Sequence, residues 1–473
     1  MPNSDMTGHW AHRLRDLATE EGVPGAALGV WADGQERLAA YGVLNAATGV
    51  TATPGSLFQI GSITKLWTAT MIMQLAGEGR LSLDATVADV LPDVPVGDPD
   101  AAAEVTIRQL LTHSSGIDGD IFTDTGRGAD CLERYVGELA GAARIFPPGA
   151  AYSYCNSGFV LLGRIIEVLD GREWDASLRE RLTRPLKLTT TVTLPEQAIL
   201  HRAAVGHRER PPGAPGAPGG CPPGLAPRSE PVSVWGLPRG IGPAGNIIAT
   251  AGDLLAFARM HLDGGVAADG TRVLAEDLVT AMRQVQLAVP PGGRIDAIGL
   301  AWRLFRWDGG KQIVGHDGNT IGQTAFLRMD PSSRVAACLL TNSPQPDPLM
   351  RRLFAEIFTE HAGVTMPAEP GPADGPVDVD LQQHAGRYER TSRRFDVAVR
   401  HGELHLVSSL TGDLAALSDE EPEDVVLYPA DSSGERFVCR SRESQPWTAL
   451  AFSRLADGTP YLFVGGRVTP RAG

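Results

Sequence analysis

The stretch Phe58-Gln59-Ile60-Gly61-Ser62-Ile63-Thr64-Lys65-Leu66-Trp67-Thr68-Ala69 is the part of the chain around which the rest is organised. Pro54 and Gly55 lead into it as turn residues, and a helical pattern runs on to Gly77 and Gly79. Ile63, Leu66, Trp67, Met71 and Leu75 recur at helical spacing, which predicts one apolar, packed face. Ser62 falls at the expected N-terminus, where a serine cap is favoured and free N–H groups point outward. Lys65, three residues on, then stands one turn away on the same face. A serine becomes a nucleophile when a base takes its proton, and a desolvated lysine is such a base. Lys and Arg together number 42, yet lysine occurs only at positions 65, 187 and 311. Arginine is thus the default cation here and cannot release its proton, so a lysine kept at 65 points to chemistry. The plain alternative is a capped helix with a lysine in its first turn.

Composition narrows the function. A chain of 473 residues with 42% hydrophobic content is long enough for two or three domains with real cores. Its formal net charge of −14 argues against a nucleic acid or an anionic membrane as partner. No apolar run approaches transmembrane length. Met1 to Gly8 has neither a basic start nor an apolar segment, so no secretory signal is read and a cytoplasmic location is expected. Cys131, Cys155, Cys221, Cys338 and Cys439 are odd in number and scattered, without Cys-x-x-Cys spacing. Reduced thiols are expected, with no disulfide framework and no metal site.

Along the chain, His9–Glu21 reads as an amphipathic helix, followed by strands at Ala26–Trp31 and Leu38–Val43 around Asp33-Gly34. Thr112-His113-Ser114-Ser115-Gly116 is a polar turn in which His113 ties the turn to the backbone, general-base chemistry being the other reading. A helix is expected over Phe159–Val168 and another over about Ala251–His261, with Gly242-Pro243-Ala244-Gly245-Asn246 as a tight turn between them. Arg208–Pro231, rich in Pro and Gly, reads as a surface loop near the site. Strands at Ile298–Phe305, Gln312–Gly315, Thr324–Arg328 and Arg334–Thr341, then a helix at Leu349–His361, end the first unit. After the Pro/Gly/acidic stretch Pro367–Pro376 the pattern changes to period two, which predicts a small antiparallel barrel or sandwich of short strands.

Two further stretches carry polar groups suited to chemistry. Tyr154-x-Asn156 offers a phenol and an amide beside Pro147-Pro148 and Gly158, with a core tyrosine as the plain alternative. Gly315-His316-Asp317-Gly318 follows an apolar strand, and its glycines let a ligand approach the backbone; alone, His316 reads as a satisfied surface or core histidine. Together, Ser62-x-x-Lys65, Tyr154-x-Asn156 and His316-x-Gly318 resemble the signature of the serine β-lactamase and penicillin-binding-protein family. The resemblance extends to Leu110-Leu111-Thr112-His113-x-Ser115-Gly116, Pro148-Gly149, Leu161-Leu162-Gly163 and Gly242-Pro243-Ala244-Gly245. These are features of its class C and esterase-like branch, and the likeness spans roughly residues 10–362.

That resemblance implies an α+β fold, an antiparallel sheet flanked by helices plus an all-helical part, over 1–364. A linker at 365–380 and a lipocalin-like β-barrel at 381–473 would follow. It implies that Ser62 attacks a carbonyl, Lys65 takes its proton, Tyr154 relays a proton to the leaving group and Asn156 orients Lys65 or the substrate amide. The oxyanion would lie between the backbone N–H groups of Ser62 and Asn319, beside Gly318, and His316 would hold Tyr154 or the substrate. No cofactor is implied. His316 replaces the lysine with which β-lactamases meet the substrate carboxylate, which suits esterases, D-aminopeptidases and peptide acyl-transferases better than β-lactam resistance. Cys155 stands where serine is usual and reads as a buried filler.

With its barrel, the chain resembles still more the penicillin-binding-protein-type thioesterases of nonribosomal peptide assembly lines. These release a peptidyl thioester ending in a D-residue, from a carrier protein, by head-to-tail cyclisation. Tyr461 to Arg471 is read as the last barrel strand, with Arg467 either reaching substrate or lying solvated at the strand end. A D-stereospecific peptidase, amidase or esterase is the first alternative, and an acylated sensor protein the second.

Overall fold

The computed structural model describes residues 3–97, 101–210, 229–290, 295–412, 415, 421–442 and 445–472. Most of the Arg208–Pro231 loop, and Cys221 within it, lies outside the described residues.

Gly25–Ala32 is an unbroken small and apolar run, and it forms a strand buried along its whole length. A strand without a polar face must be covered on both sides. It pairs antiparallel with Gln35–Asn45 across the Asp33-Gly34 turn and, on its other edge, with Val335–Thr341. The sheet continues through Thr324–Asp330, Lys311–Asn319 and Arg303–Trp307 to a total of nine strands. On one face the helices Asn3–Glu20 and Asp347–Ala362 bring Trp10, Leu14, Leu353 and Phe354 against Leu28 and Val30. The other face carries the helical part, with Ala27, Leu255 and Cys338 in the larger core. Among the described residues no helix is long and apolar enough to cross a membrane.

The helix that opened the sequence reading spans Thr64–Gly77 and differs from expectation in two ways. It has no single apolar face: Thr64 through Met73 and Leu75 are all buried. The cause is its central place, with the helices Asn156–Asp170 and Ala251–Leu262 packed around it and Trp67 stacked on Phe257 at 4.2 Å. Nor is Ser62 its cap. Gly61–Ile63 forms a 3₁₀ turn ahead of the helix, and no side chain caps either element. A second boundary also moves. Lys311–Asn319 is one continuous strand, so His316, Asp317 and Gly318 lie within the sheet and do not follow it.

No helix or strand occurs between Gly363 and Asp380. Among the described residues, eight strands from Gly386 to Pro470 then form an up-and-down antiparallel barrel, nearly closed by a bridge between Tyr388 and Arg471. Its inward-facing residues, among them Phe395, Leu404, Leu427, Phe437 and Phe452, fill the interior as a packed core. The expected last strand is in fact a hairpin, Pro460–Val464 and Arg467–Pro470. Gly465 and Gly466 turn the chain between them at φ +60° and +78°, a pairing that only two-residue turns with left-handed backbone allow.

The barrel packs directly on the first unit. Tyr461, Phe463 and Val468 share an apolar cluster with Phe146, Tyr152 and Tyr154. Phe463 is 1% exposed and its ring centroid lies 6.3 Å from that of Tyr152. Phe463→Ala is therefore expected to cost roughly 3 kcal/mol, the usual scale for emptying a buried aromatic site. A lowered urea midpoint at unchanged slope would register it.

Candidate active site

Close approach of two backbones builds the floor of the site. A Cβ on Gly318 would stand 1.9 Å from Ile60 O and 2.9 Å from Ser62 N. One on Gly61 would stand 2.7 Å from Asn319 N, and Gly61 adopts φ +51°. Only glycine at both positions lets the strand and the turn come this near. Ser62 and Asn319 thereby line the same cleft of about 460 Å³, together with Tyr154, Asn156, Arg303 and Arg467.

Lys65 projects into this region from the first turn of its helix and is wholly buried. Its Nζ lies 3.1 Å from Ser62 Oγ, 2.9 Å from Asn156 Oδ1 and 2.7 Å from Ala244 O. Burial pushes its pKa well below the usual lysine value, and the charges of Arg303 and Arg467 push the same way. Asp120 and Cys155 oppose the shift without reversing it. A neutral amine has two N–H donors and one lone pair. The Asn156 and Ala244 oxygens take the donors, which leaves the lone pair for the Ser62 hydroxyl.

Tyr154 is held by its backbone N–H, which donates to Gly466 O at 2.9 Å. Lys65 Nζ, Arg467 Cζ and Arg303 Cζ stand 4.9, 5.0 and 5.3 Å from its ring centroid. The phenol oxygen is buried and makes no hydrogen bond of good geometry. Burial raises its pKa, while Arg303, Ser62 and Arg467 pull it down. Tyr154 is thus a neutral phenol with a proton to give, and Ser62 is a group beside it that favours the loss of that proton.

His316 does not line the cleft. It is fully buried behind Tyr154, ring centroids 6.2 Å apart, with Nδ1 2.6 Å from Asp317 O. Burial, then Arg303 and Lys65, keep it neutral. The cleft is lined at that level by Asp317, whose carboxylate meets Arg328 at 2.6 Å and Arg303 at 3.1 Å. His113 occupies the turn-tying position: its Nδ1 accepts the Cys155 N–H at 3.1 Å and its ring lies 4.4 Å from that of Tyr154. Cys155 caps the Asn156–Asp170 helix, with Sγ accepting the Gly158 N–H at 3.3 Å, and burial pushes its thiol up to about 12. Neither group stands in contact with Ser62 among the described hydrogen bonds.

Arg467 comes from the turned-back strand of the barrel hairpin, not from a free strand end. Its Nε and Nη2 meet the Asp120 carboxylate at 2.6 and 2.9 Å. Three polar residues here escaped the sequence reading. Asp120 is a buried carboxylate that also accepts from Asn156 Nδ2 at 3.0 Å and from Arg390 Nη1 at 2.9 Å. Arg390 arrives from the first barrel strand, and Arg303 from the sheet. Nothing local in Asp118-Gly119-Asp120 marks which distant arginine will reach it.

Gly318→Ala tests the floor. The added methyl is expected to part strand and turn, cutting any turnover that depends on Ser62 by about a hundredfold or more. Circular dichroism should show the fold retained, and a variant of normal activity would remove Gly318 from this role.

Residues 10–360 match the family model described as Beta-lactamase. Penicillin-binding protein 4 of Amycolatopsis lactamdurans is 46% identical over 385 residues, 81% of this chain and 97% of that relative. The crystal structure of SurE aligns with a TM-score of 0.78 at 29% identity, over 99% of this chain and 100% of SurE, barrel included. SurE with D-Leu gives 0.74 at 28% over the same shares. The D-amino acid amidase of Ochrobactrum anthropi SV3 shares the fold over 74% of this chain and 98% of its own, with a TM-score of 0.61 at 23% identity. With three-quarters of its length matched and the Ser62–Lys65 pair in place, the chain belongs to the β-lactamase family and is a serine hydrolase of the penicillin-binding-protein-like kind.

Proposed function

We propose that the protein releases a peptidyl thioester with a C-terminal D-residue as a head-to-tail macrocycle, through an acyl-Ser62 intermediate. The observation that carries this is the barrel hairpin beside Ser62. The barrel fixes Tyr154 through Gly466 O and places Arg467 over its ring, and Gly465, Gly466 and Arg467 line the same cleft as Ser62, which supports cover for an acyl group there. An acyl-enzyme destined for an amine and not for water needs such cover. The likeness to SurE along the whole chain, and the D-Leu in one of its structures, support a D-residue at the acyl position.

In acylation, the neutral Lys65 amine takes the Ser62 proton as Oγ bonds to the thioester carbonyl carbon. The oxyanion lies between the Ser62 and Asn319 N–H groups, with Gly318 giving it room. The C–S bond then breaks, and Tyr154 passes a proton to the departing thiolate, to be made good from Lys65. In release, the peptide's own N-terminal amine attacks the ester, its proton returns through Tyr154 or Lys65, and Ser62 leaves as an alcohol. Asn156 holds Lys65, His316 backs Tyr154, and Arg467 meets the peptide at the cleft wall. No metal or cofactor takes part in this scheme. The acyl donor is a carrier-bound or free thioester, and the setting is cytoplasmic.

The test is a linear peptide thioester ending in a D-residue, followed by mass spectrometry. A macrolactam is expected; linear acid alone would make the protein a D-stereospecific hydrolase, and a lasting adduct a sensor. Ser62→Ala should abolish every product. Because Lys65 acts as the free amine, the acylation rate should climb with pH through its depressed pKa and then level off. Lys65→Arg, permanently protonated, should lose about a hundred- to ten-thousandfold in kcat; a flat profile or an active Lys65→Arg would remove Lys65 as base.

A further inference from the structure

Asp120 has no part in the scheme above, yet it joins Asn156 of the site to two barrel arginines, Arg390 and Arg467. Its carboxylate is nearly fully buried and meets four N–H-bearing groups: Asn156 Nδ2 at 3.0 Å, Arg390 Nη1 at 2.9 Å, and Arg467 Nη2 and Nε at 2.9 and 2.6 Å. An ionised carboxylate only accepts, so it dictates which end of the Asn156 amide faces it. With Nδ2 turned to Asp120, Oδ1 is the atom presented to Lys65, at 2.9 Å. A reversed amide would set two N–H groups against the lysine amine and forfeit that contact.

The arginines reach Asp120 from opposite ends of the barrel sequence, Arg390 on its first strand and Arg467 on its last. Those two strands meet where the barrel closes. The neighbouring Asp118 accepts the Thr391 N–H at 2.6 Å and lies 4.0 Å from Arg390, so a second carboxylate holds the same end of the first barrel strand. Burial works to raise the Asp120 pKa, but Arg467 and Arg390 together hold it below the ordinary carboxylate value.

We propose that Asp120 is a positioning residue for acylation: one carboxylate seats the barrel through Arg390 and Arg467 and aims Asn156 at Lys65, so that the base is assembled only where the barrel is docked. The inference rests on Ser62 and Lys65 acting as read above, but not on whether the acyl group leaves as macrocycle or acid. It separates Asp120 from a mere inter-domain ion pair, because such a pair would not face the group that orients the base.

The charge environment gives the readout. The Lys65 amine is faced by Arg303 and Arg467, which disfavour its protonated form, and by Asp120 and Cys155, which favour it. Tyr154, His113 and His316 around it are neutral. Removing the Asp120 charge thus takes away a stabiliser of the ammonium and leaves Arg467 uncompensated, so the Lys65 pKa falls further.

The experiment is quench-flow mass spectrometry of acyl-Ser62 formed from a p-nitrophenyl ester of N-acetyl-D-alanine, across pH, in the full-length protein. Asp120→Asn is expected to lower the plateau rate by roughly tenfold or more, the scale on which a ligand-orienting partner acts. It should also move the acid limb to lower pH by about half a unit or more. Asp120→Glu, which keeps the charge, should return the limb towards that of the natural protein. A lowered rate with an unmoved limb would mean a structural role only, and an unchanged rate would exclude any role; either result overturns the proposal. Should Asp120→Asn not fold, Arg390→Gln decides: it leaves Asp120 with one cation fewer, so the limb must move to higher pH, and an unmoved limb overturns the proposal. If the natural protein itself forms no acyl-Ser62, the functional reading fails first, which tells the two failures apart.

Discussion

A lysine amine kept out of water is the condition on which the rest of this molecule depends. Lys65 can act as a base only if its proton is lost near neutral pH, and burial supplies most of that shift. Burial in turn requires that the helix carrying it be surrounded on all sides, which is why Thr64–Gly77 lacks the polar face of an ordinary surface helix. The Asn156–Asp170 helix and Gly242–Gly245, which is a one-turn helix and not the tight turn expected, each contribute to that enclosure, and the latter supplies Ala244 O as an acceptor. Positive charge from Arg303 and Arg467 strengthens the effect. Arg467 belongs to the barrel, so the state of the base is set partly by the second unit.

That dependence makes the barrel more than an appended module. Among the described residues its interior is packed with apolar side chains. Its contribution lies on the outside. One hairpin carries the carbonyl that fixes Tyr154, the arginine over the Tyr154 ring, and Phe463 and Val468 of the shared apolar cluster. Tyr154 is consequently positioned by its own turn and by a hairpin turn more than three hundred residues distant. The fold of the family supplies the nucleophile and base; the barrel decides what surrounds the acyl group.

Much of this was legible in the sequence, and the reasons for the rest are physical. The terminal all-β unit followed from period-two patterning, and the α+β class from the family that Ser62-x-x-Lys65, Tyr154-x-Asn156 and His316-x-Gly318 together resemble. Local pattern failed where a long-range partner decides the outcome. Ser62 has the chemistry of a helix cap, but Gly318 presses against its peptide and holds it in a 3₁₀ turn instead. The last barrel segment was read as one strand because Tyr461 to Val468 is apolar, although Gly465-Gly466 is itself a hairpin signal and could have split it. Asp120, Arg303 and Arg390 had no local mark at all, since a buried ion pair is defined by its partner and not by its neighbours in sequence. Lysine scarcity, by contrast, was a whole-chain signal, and it singled out the residue on which the site turns.

The same scarcity offers the most direct measurement. With lysine only at 65, 187 and 311, a protein labelled with ¹³C at the lysine ε-carbon gives three resonances to follow against pH by NMR. The account predicts that one resonance, lost in Lys65→Arg, titrates well below the ordinary lysine value of about 10.4. A Lys65 resonance that titrates at that ordinary value would mean that Lys65 is an ammonium in the resting protein, and the account of the base would be wrong.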